Sequence, residues 1–595
     1  MKRILLLVFM LVSIHLFAQN PSIHYNLSMP EPHTHYFEVS ITCKNPEQDT
    51  IAFKMPVWAP GSYLVREFAR NVENFNAVDK TGKVLPVTKT SKNTWKVARG
   101  GSDEITASYK VYANEVSVRT SVLNATHGFV SGTSVFMYIE GLQNKPLKLN
   151  VKPYEAWSKV STGLSRVVSE QFTFTAPDYD ILADSPLEIG NHQVWQFTAA
   201  GVPHEVAMYG DGNYDKEQLL IDMRKIVEAS TAVFGENPNQ RYVFIVHNLD
   251  NRGGGLEHLN STAMQVDRWN YEPDSKYLGF LGLTAHEYFH LWLVKRLRPV
   301  QLGPFNYEKE NYTHLLWVME GFTSYYDELL LYRSNFFNEN EYLNKLAASI
   351  NSIENQPGNN VQPVAMASFD AWIKAYRPDE NSINTTVSYY TKGSVLAAML
   401  DLQVISATEG KKNLDDVLQY LYKKYYKELD RGMTNDELQA AFEKISGKNF
   451  DDFFEKYVFG TESIPYEKYF AFAGYNFIDQ NEGYGLIDPG IKYQENGGNL
   501  IIKEVLTGTP AYHDGLNAND EILAIDGYRA SSRVLNNILQ QKQPDEEITF
   551  LIARDGIVKE VSVTLNLVEK VSYQILPMDE LSRKQKQVHK KWLAQ

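Results

Sequence analysis

The sequence predicts a multidomain α+β protein: an N-terminal antiparallel β domain, a mostly α domain with a small sheet, and a C-terminal β domain. Three changes of pattern predict this. Alternating β-branched and aromatic runs fill residues 20 to 210, helical spacing takes over from about 215 to 460, and β-like runs return from 470 to 570. A length of 595 residues corresponds to roughly four domains. With 43% hydrophobic and 22% charged residues, the chain has the composition of a folded protein.

Residues 1 to 18 open with Met1-Lys2-Arg3 and continue through an apolar run to Leu16-Phe17-Ala18. A basic start followed by a short apolar core predicts a signal peptide cleaved after Ala18, and therefore an exported protein, periplasmic or extracellular. No later stretch reads as a transmembrane helix. The net charge of -14 gives no support for a nucleic-acid partner, since a phosphate backbone selects clustered Lys and Arg. Cys43 is the only cysteine, which rules out an intrachain disulfide and leaves His and carboxylates to bind any metal.

The β domain, 20 to 210, rests on runs such as Tyr36-Phe37-Glu38-Val39-Ser40-Ile41 and Glu104-Ile105-Thr106-Ala107-Ser108-Tyr109, broken by Gly, Pro, Asn and Asp. Within it, Pro56-Val57-Trp58-Ala59-Pro60-Gly61-Ser62-Tyr63 reads as a stiff corner between sheets. The helical domain, 211 to 465, begins with a helix near Asp215 and a strand, Tyr242-Val243-Phe244-Ile245-Val246. Helices then cover Thr313 to Tyr332, Glu341 to Ile353, Gly393 to Thr408, Asn413 to Tyr425 and Thr434 to Ile445. The last β domain, 470 to 570, precedes a basic tail, 571 to 595, expected to carry a solvated terminal helix.

Chemistry concentrates in Thr284-Ala285-His286-Glu287-Tyr288-Phe289-His290. On a helix, His286 and His290 share a face and can grip one metal ion, while Glu287 projects toward its water as a general base. That helix is expected to run on through Leu291, Trp292, Leu293 and Val294 to Arg298-Pro299. Two histidines leave one protein ligand to find. Leu293 and Arg296 stand where a third-histidine motif would place Gly and His. A carboxylate from a second helix is the other solution. Glu320, inside the aromatic run Trp317 to Tyr326, is favoured over Glu308 and Glu310, which flank Lys309 in a polar loop.

His286-Glu287-Tyr288-Phe289-His290 followed by Trp317-Val318-Met319-Glu320-Gly321-Phe322-Thr323 resembles the gluzincins, and specifically the glycyl aminopeptidase family of zinc metallopeptidases. The stretch from Gly508-Thr509-Pro510-Ala511 to Asp526-Gly527 resembles a PDZ domain, which that family carries at its C-terminus. The resemblance implies a thermolysin-like catalytic domain, one Zn2+ per chain, and peptide substrates with a free N-terminal Gly or Ala. Gly254-Gly255-Leu256-Glu257-His258 looks like the strand whose Glu binds the substrate's α-ammonium in related aminopeptidases. Tyr390-Thr391-Lys392-Gly393 resembles the motif whose phenol donates to the developing oxyanion, with Tyr389 as the alternative. Backbone amides of Tyr484-Gly485-Leu486-Ile487 could capture a C-terminal peptide ligand. Two rivals are an endopeptidase of the same fold and a peptide-binding scaffold with a vestigial metal site.

Overall fold

A computed structural model describes residues 21–593, so the expected signal segment lies outside the described residues. The N-terminal domain is built from a seven-stranded sheet and two four-stranded sheets. In Tyr36–Lys44 the inward residues Phe37, Val39, Ile41 and Cys43 alternate with partly exposed ones, the period of a strand with one buried face. Burial pushes the Cys43 thiol up to about 11, leaving it a packing residue. Pairing is antiparallel throughout the seven-stranded sheet except between Ser22–Ser28 and Leu147–Lys152, which run parallel.

The boundary expected near residue 210 falls earlier. The hairpin Gln193–Ala199 and Val202–Tyr209 belongs to a five-stranded mixed sheet with Tyr242–Leu249, Ser261–Asp267 and, at the edge, Gly254–Glu257. Helix Lys216–Phe234 makes the crossover between two parallel strands. Asp215 caps its start by accepting from the backbone of Glu217 and Gln218, and Gly235, at φ 80°, ends it in a left-handed turn. Beyond the sheet the chain is helical, around one large core that runs from Trp58 to Trp592.

Two buried charge clusters join the N-terminal domain to this body. Glu188 accepts from His127 Nδ1 at 2.9 Å and from His247 Nε2 at 2.8 Å. Burial opposes ionisation of Glu188, but the two imidazoles outweigh it and hold the carboxyl at about 2. Asp184 Oδ1 lies 2.8 Å from Lys295 Nζ and 3.0 Å from His258 Nδ1, and Oδ2 accepts from the Leu259 backbone.

The C-terminal β module carries a sheet of Ile491–Asn496, Asn499–Val505, Glu521–Ile525, Glu547–Arg554 and Ile557–Thr564. The short helix Pro510–Asp514 begins at the expected Pro. Asp526 and Gly527, at φ 47° and 83°, turn the chain into Tyr528–Arg529, the primed geometry that Asp-Gly favours. This module is an insertion. Tyr475–Asp479 pairs with Tyr573–Pro577, and helix Arg583–Leu593 packs back onto the helical body. The expectation of a solvated tail is therefore corrected. Val588 and Trp592, four apart, form a buried stripe, and Trp592 Nε1 donates to Tyr325 Oη at 2.9 Å.

Candidate metal centre

Helix Asp274–Phe289 carries His286 on its last turn and is capped by His290. The expected continuation to Pro299 does not form. After His290 the chain tightens into turns, with Lys295 N bonding to His290 O at 3.1 Å and Leu297 N to Trp292 O at 2.8 Å. Val294 sits at φ 133°, a costly conformation for a β-branched residue. The break frees the Leu293 carbonyl to accept from His290 Nδ1 at 2.8 Å, which an unbroken helix would have used internally.

Glu320 comes from the junction of Leu316–Met319 and helix Gly321–Arg333. Its Oε2 lies 3.5 Å from His286 Nε2 and 3.2 Å from His290 Nε2, so both imidazoles converge on one carboxylate oxygen. Glu308 is placed elsewhere, bonded to Lys54 in the N-terminal domain. Burial disfavours charge on Glu320, and the neighbouring imidazoles of His290 and His286 outweigh it and hold the carboxyl down. His286 Nδ1 lies 3.0 Å from Asp327 Oδ2. With both Nδ1 atoms occupied, the two Nε2 atoms are the free ligand positions, facing a carboxylate oxygen. A divalent zinc ion fits this donor set of two imidazoles and one carboxylate, with an outer carboxylate orienting the first histidine.

Sequence reasoning missed Asp327. Its spacing of seven from Glu320, two helical turns on the same face, was the available signal.

Glu287 lies buried beside the ligands. Desolvation leads in pushing its carboxyl up to about 7, and its Oε2 has no hydrogen-bond partner among the described residues. The strand Gly254–Glu257 passes so close that a Cβ on Gly255 would fall 2.1 Å from Glu287 Oε1. Glu257 is also buried, with Oε1 unpartnered. The corner Pro56 to Tyr63, expected to be structural, packs Trp58 and Tyr63 on Trp372 and also reaches the site. A Cβ on Gly61 would meet Glu257 Oε1 at 2.5 Å.

Tyr390 opens helix Tyr389–Ala407, and its ring stacks on His286 at 6.2 Å between centroids. Burial, and then Glu320, push its phenol well above 10, which keeps it a neutral donor. Tyr389 stacks behind it, buried. Lys392 turns away into the interior, donating to Asn359 Oδ1 at 2.8 Å.

One pocket of about 480 Å³ is lined by His286, His290, Glu320, Glu287, Glu257, Gly255 and Tyr390. Gly254 alone of the anticipated residues does not line it; it begins the same strand. Gly282 and Gly279, one and two turns before His286, form part of the wall, and a Cβ on Gly279 would meet nothing within 4 Å. Gly61 and Arg119 of the N-terminal domain complete the rim.

Three family models match successive stretches: the Peptidase M61 N-terminal domain over residues 24–191, M61 glycyl aminopeptidase over 279–396, and a PDZ domain over 488–565. A search of curated proteins found no match. Among solved structures, the chain is similar to an aminopeptidase N family protein from Idiomarina loihiensis. The two are 32% identical with a TM-score of 0.89, over 96% of this chain and 100% of that one. An M1 zinc metallopeptidase from Deinococcus radiodurans is 13% identical at a TM-score of 0.49, over 75% of this chain and 94% of that one.

Proposed function

The chain belongs to the M61 glycyl aminopeptidase family of zinc metallopeptidases, and from that premise we propose that it is an exported aminopeptidase removing N-terminal Gly or Ala from peptides. One observation carries the exopeptidase reading. Glu257 is a buried carboxylate with an unpartnered oxygen, in the same pocket as His286, His290 and Glu320. Such a group demands a cation, and the substrate's α-ammonium supplies one where an internal amide cannot.

His286, His290 and Glu320 would hold one zinc ion per chain. When bound, zinc supplies Lewis-acid polarisation and acidifies a water toward a pKa of about 7. Glu287 takes the proton of the attacking water and passes it to the leaving amine, a role worth about 100- to 10,000-fold. Tyr390 donates its phenolic proton in a hydrogen bond to the developing oxyanion. Glu257 fixes the amine, with Gly255 allowing the strand to lie against Glu287. Preference for a small first residue is supported by the family description and by the closeness of Gly61 to the Glu257 carboxylate. Export is supported by the basic and apolar pattern of residues 1 to 18 alone. No helix among the described residues is long and apolar enough to cross a membrane.

The PDZ module favours a second role, capture of a peptide C-terminus. Strand Ile491–Asn496 ends its sheet with an open edge. Leu486 and Ile487 of the anticipated carboxylate loop pair with Val568 and Leu567.

The test of the main reading compares a peptide with its N-acetylated form on the zinc-loaded protein. Cleavage of the free form only is expected, and equal cleavage establishes an endopeptidase instead. Glu287→Gln should retain zinc by metal analysis while losing hydrolysis; near wild-type turnover removes Glu287 from its role. Failure to cleave any peptide in a broad library would favour the scaffold.

A further inference from the structure

Arg119 enters the pocket from the N-terminal domain, and the chemistry above leaves it unused. Its Nη2 lies 3.5 Å from Gly255 O, a contact too long to satisfy a guanidinium, and its buried Nε has no partner. Among the described residues it makes no ion pair. The other cation on the pocket wall, Lys345, is already 3.0 Å from Glu328. Apart from the histidines assigned to the metal, the remaining charged side chains of the lining are acidic, so Arg119 is the one cationic side chain of the wall left without an acidic partner.

Its place along the strand gives the charge a direction. Gly254–Glu257 is the edge of the five-stranded sheet, so its outer side can pair with an extended peptide. With the substrate amine at Glu257, an antiparallel peptide runs past Leu256 toward Gly255, where the guanidinium stands. Two residues of strand advance the chain by about 7 Å, close to the reach of an extended dipeptide from amine to carboxylate.

We propose that Arg119 binds the α-carboxylate of dipeptides, so that the enzyme is selective for dipeptides with a free C-terminus. This rests on the aminopeptidase reading, which sets the peptide's direction. Glu257 reads one end of the substrate and Arg119 the other, and the distance between them measures its length. A planar guanidinium suits a carboxylate by forming two parallel hydrogen bonds, which a lysine cannot reproduce.

The experiment measures kcat and KM for glycyl-leucine against glycyl-leucinamide on the zinc-loaded enzyme. A preference for the free acid of at least about tenfold is expected, carried by KM, the low end for a hydrogen bond to a charged group. In Arg119→Gln the acid-to-amide ratio should fall toward one, and Arg119→Lys should recover part of it. Calorimetric titration of both ligands into Glu287→Gln gives the same comparison without turnover. Equal handling of acid and amide by the wild type overturns the proposal. So does an Arg119→Gln variant that weakens both ligands alike, the signature of a residue that only props the strand. If both ligands need a free amine but are handled equally, Arg119 alone is misassigned. If the amine proves irrelevant, the aminopeptidase reading falls and this inference falls with it.

Discussion

Gly321 and Gly393 touch: a Cβ on Gly321 would lie 2.4 Å from the Cα of Gly393, and one on Gly393 would lie 2.4 Å from Trp317 O. The helix carrying Glu320 and the helix carrying Tyr390 cross where neither has a side chain. That crossing brings the third ligand and the oxyanion donor to one pocket. Gly321→Ala should therefore separate the helices, costing about 1–3 kcal/mol through overpacking. Zinc content should fall with it, as measured by metal analysis after dialysis; full zinc with native stability would show that the contact is not needed.

Asp327 orients His286 through Nδ1. Asp327→Asn should keep the fold but weaken zinc by about 10- to 100-fold, the usual effect of losing such an outer partner. Competition with a chromogenic chelator reads this directly, and an unchanged affinity would remove Asp327 from the metal's support.

Tyr390→Phe should lower kcat by about 100- to 1,000-fold with little change in KM, as expected for a donor acting on the transition state. Tyr389→Phe, which alters a buried side chain that does not line the pocket, should change kcat far less. Reversed effects in steady-state assays would exchange the two tyrosines.

Gly255→Ala should cut kcat at least about tenfold while zinc is retained, because the added methyl must displace the Glu287 carboxylate. Circular dichroism separates this from unfolding. Unimpaired turnover would show that Glu287 has room the packing denies it.

Glu188 supplies a pH signature. Its folded carboxyl is held at about 2 against an ordinary value of 4.5, so the stability it contributes is full above about 4.5 and is lost as pH falls toward 2. Glu188→Ala should destabilise the protein by about 3 kcal/mol near neutrality, and the difference from wild type should shrink in acid. Thermal melts at about pH 7 and about pH 3 provide the comparison, and an equal difference at both would show that the charge contributes nothing.

The centre was legible where its residues are local. His286, Glu287 and His290 occupy adjacent helical turns, and Glu320 stood out as an acid among aromatics, too costly to bury without a partner. What the sequence hid were relations between distant segments. The hairpin 193–209 alternates like the strands before it, and alternation does not say which sheet a strand joins. The helix stop after His290 carries no Gly or Pro, because it is imposed by tertiary packing and the bond to Leu293. The basic tail masks a two-residue apolar stripe that matters only once Tyr325 is opposite it. Gly61 and Arg119 reach the pocket from another domain, which no local pattern reveals.

The ladder that closes Tyr475–Asp479 against Tyr573–Pro577 has a practical meaning. Because Asp479 faces Tyr573 across a single rung, the PDZ module leaves the body and rejoins it at nearly one point. It is a cassette. Cutting the gene short after residue 470 would strip away Trp592 and injure the peptidase, whereas splicing a tight turn between those two neighbours would lift the module out while keeping Trp592, at the loss of the hydrogen bonds that Asn384 makes with Val505 and Thr507.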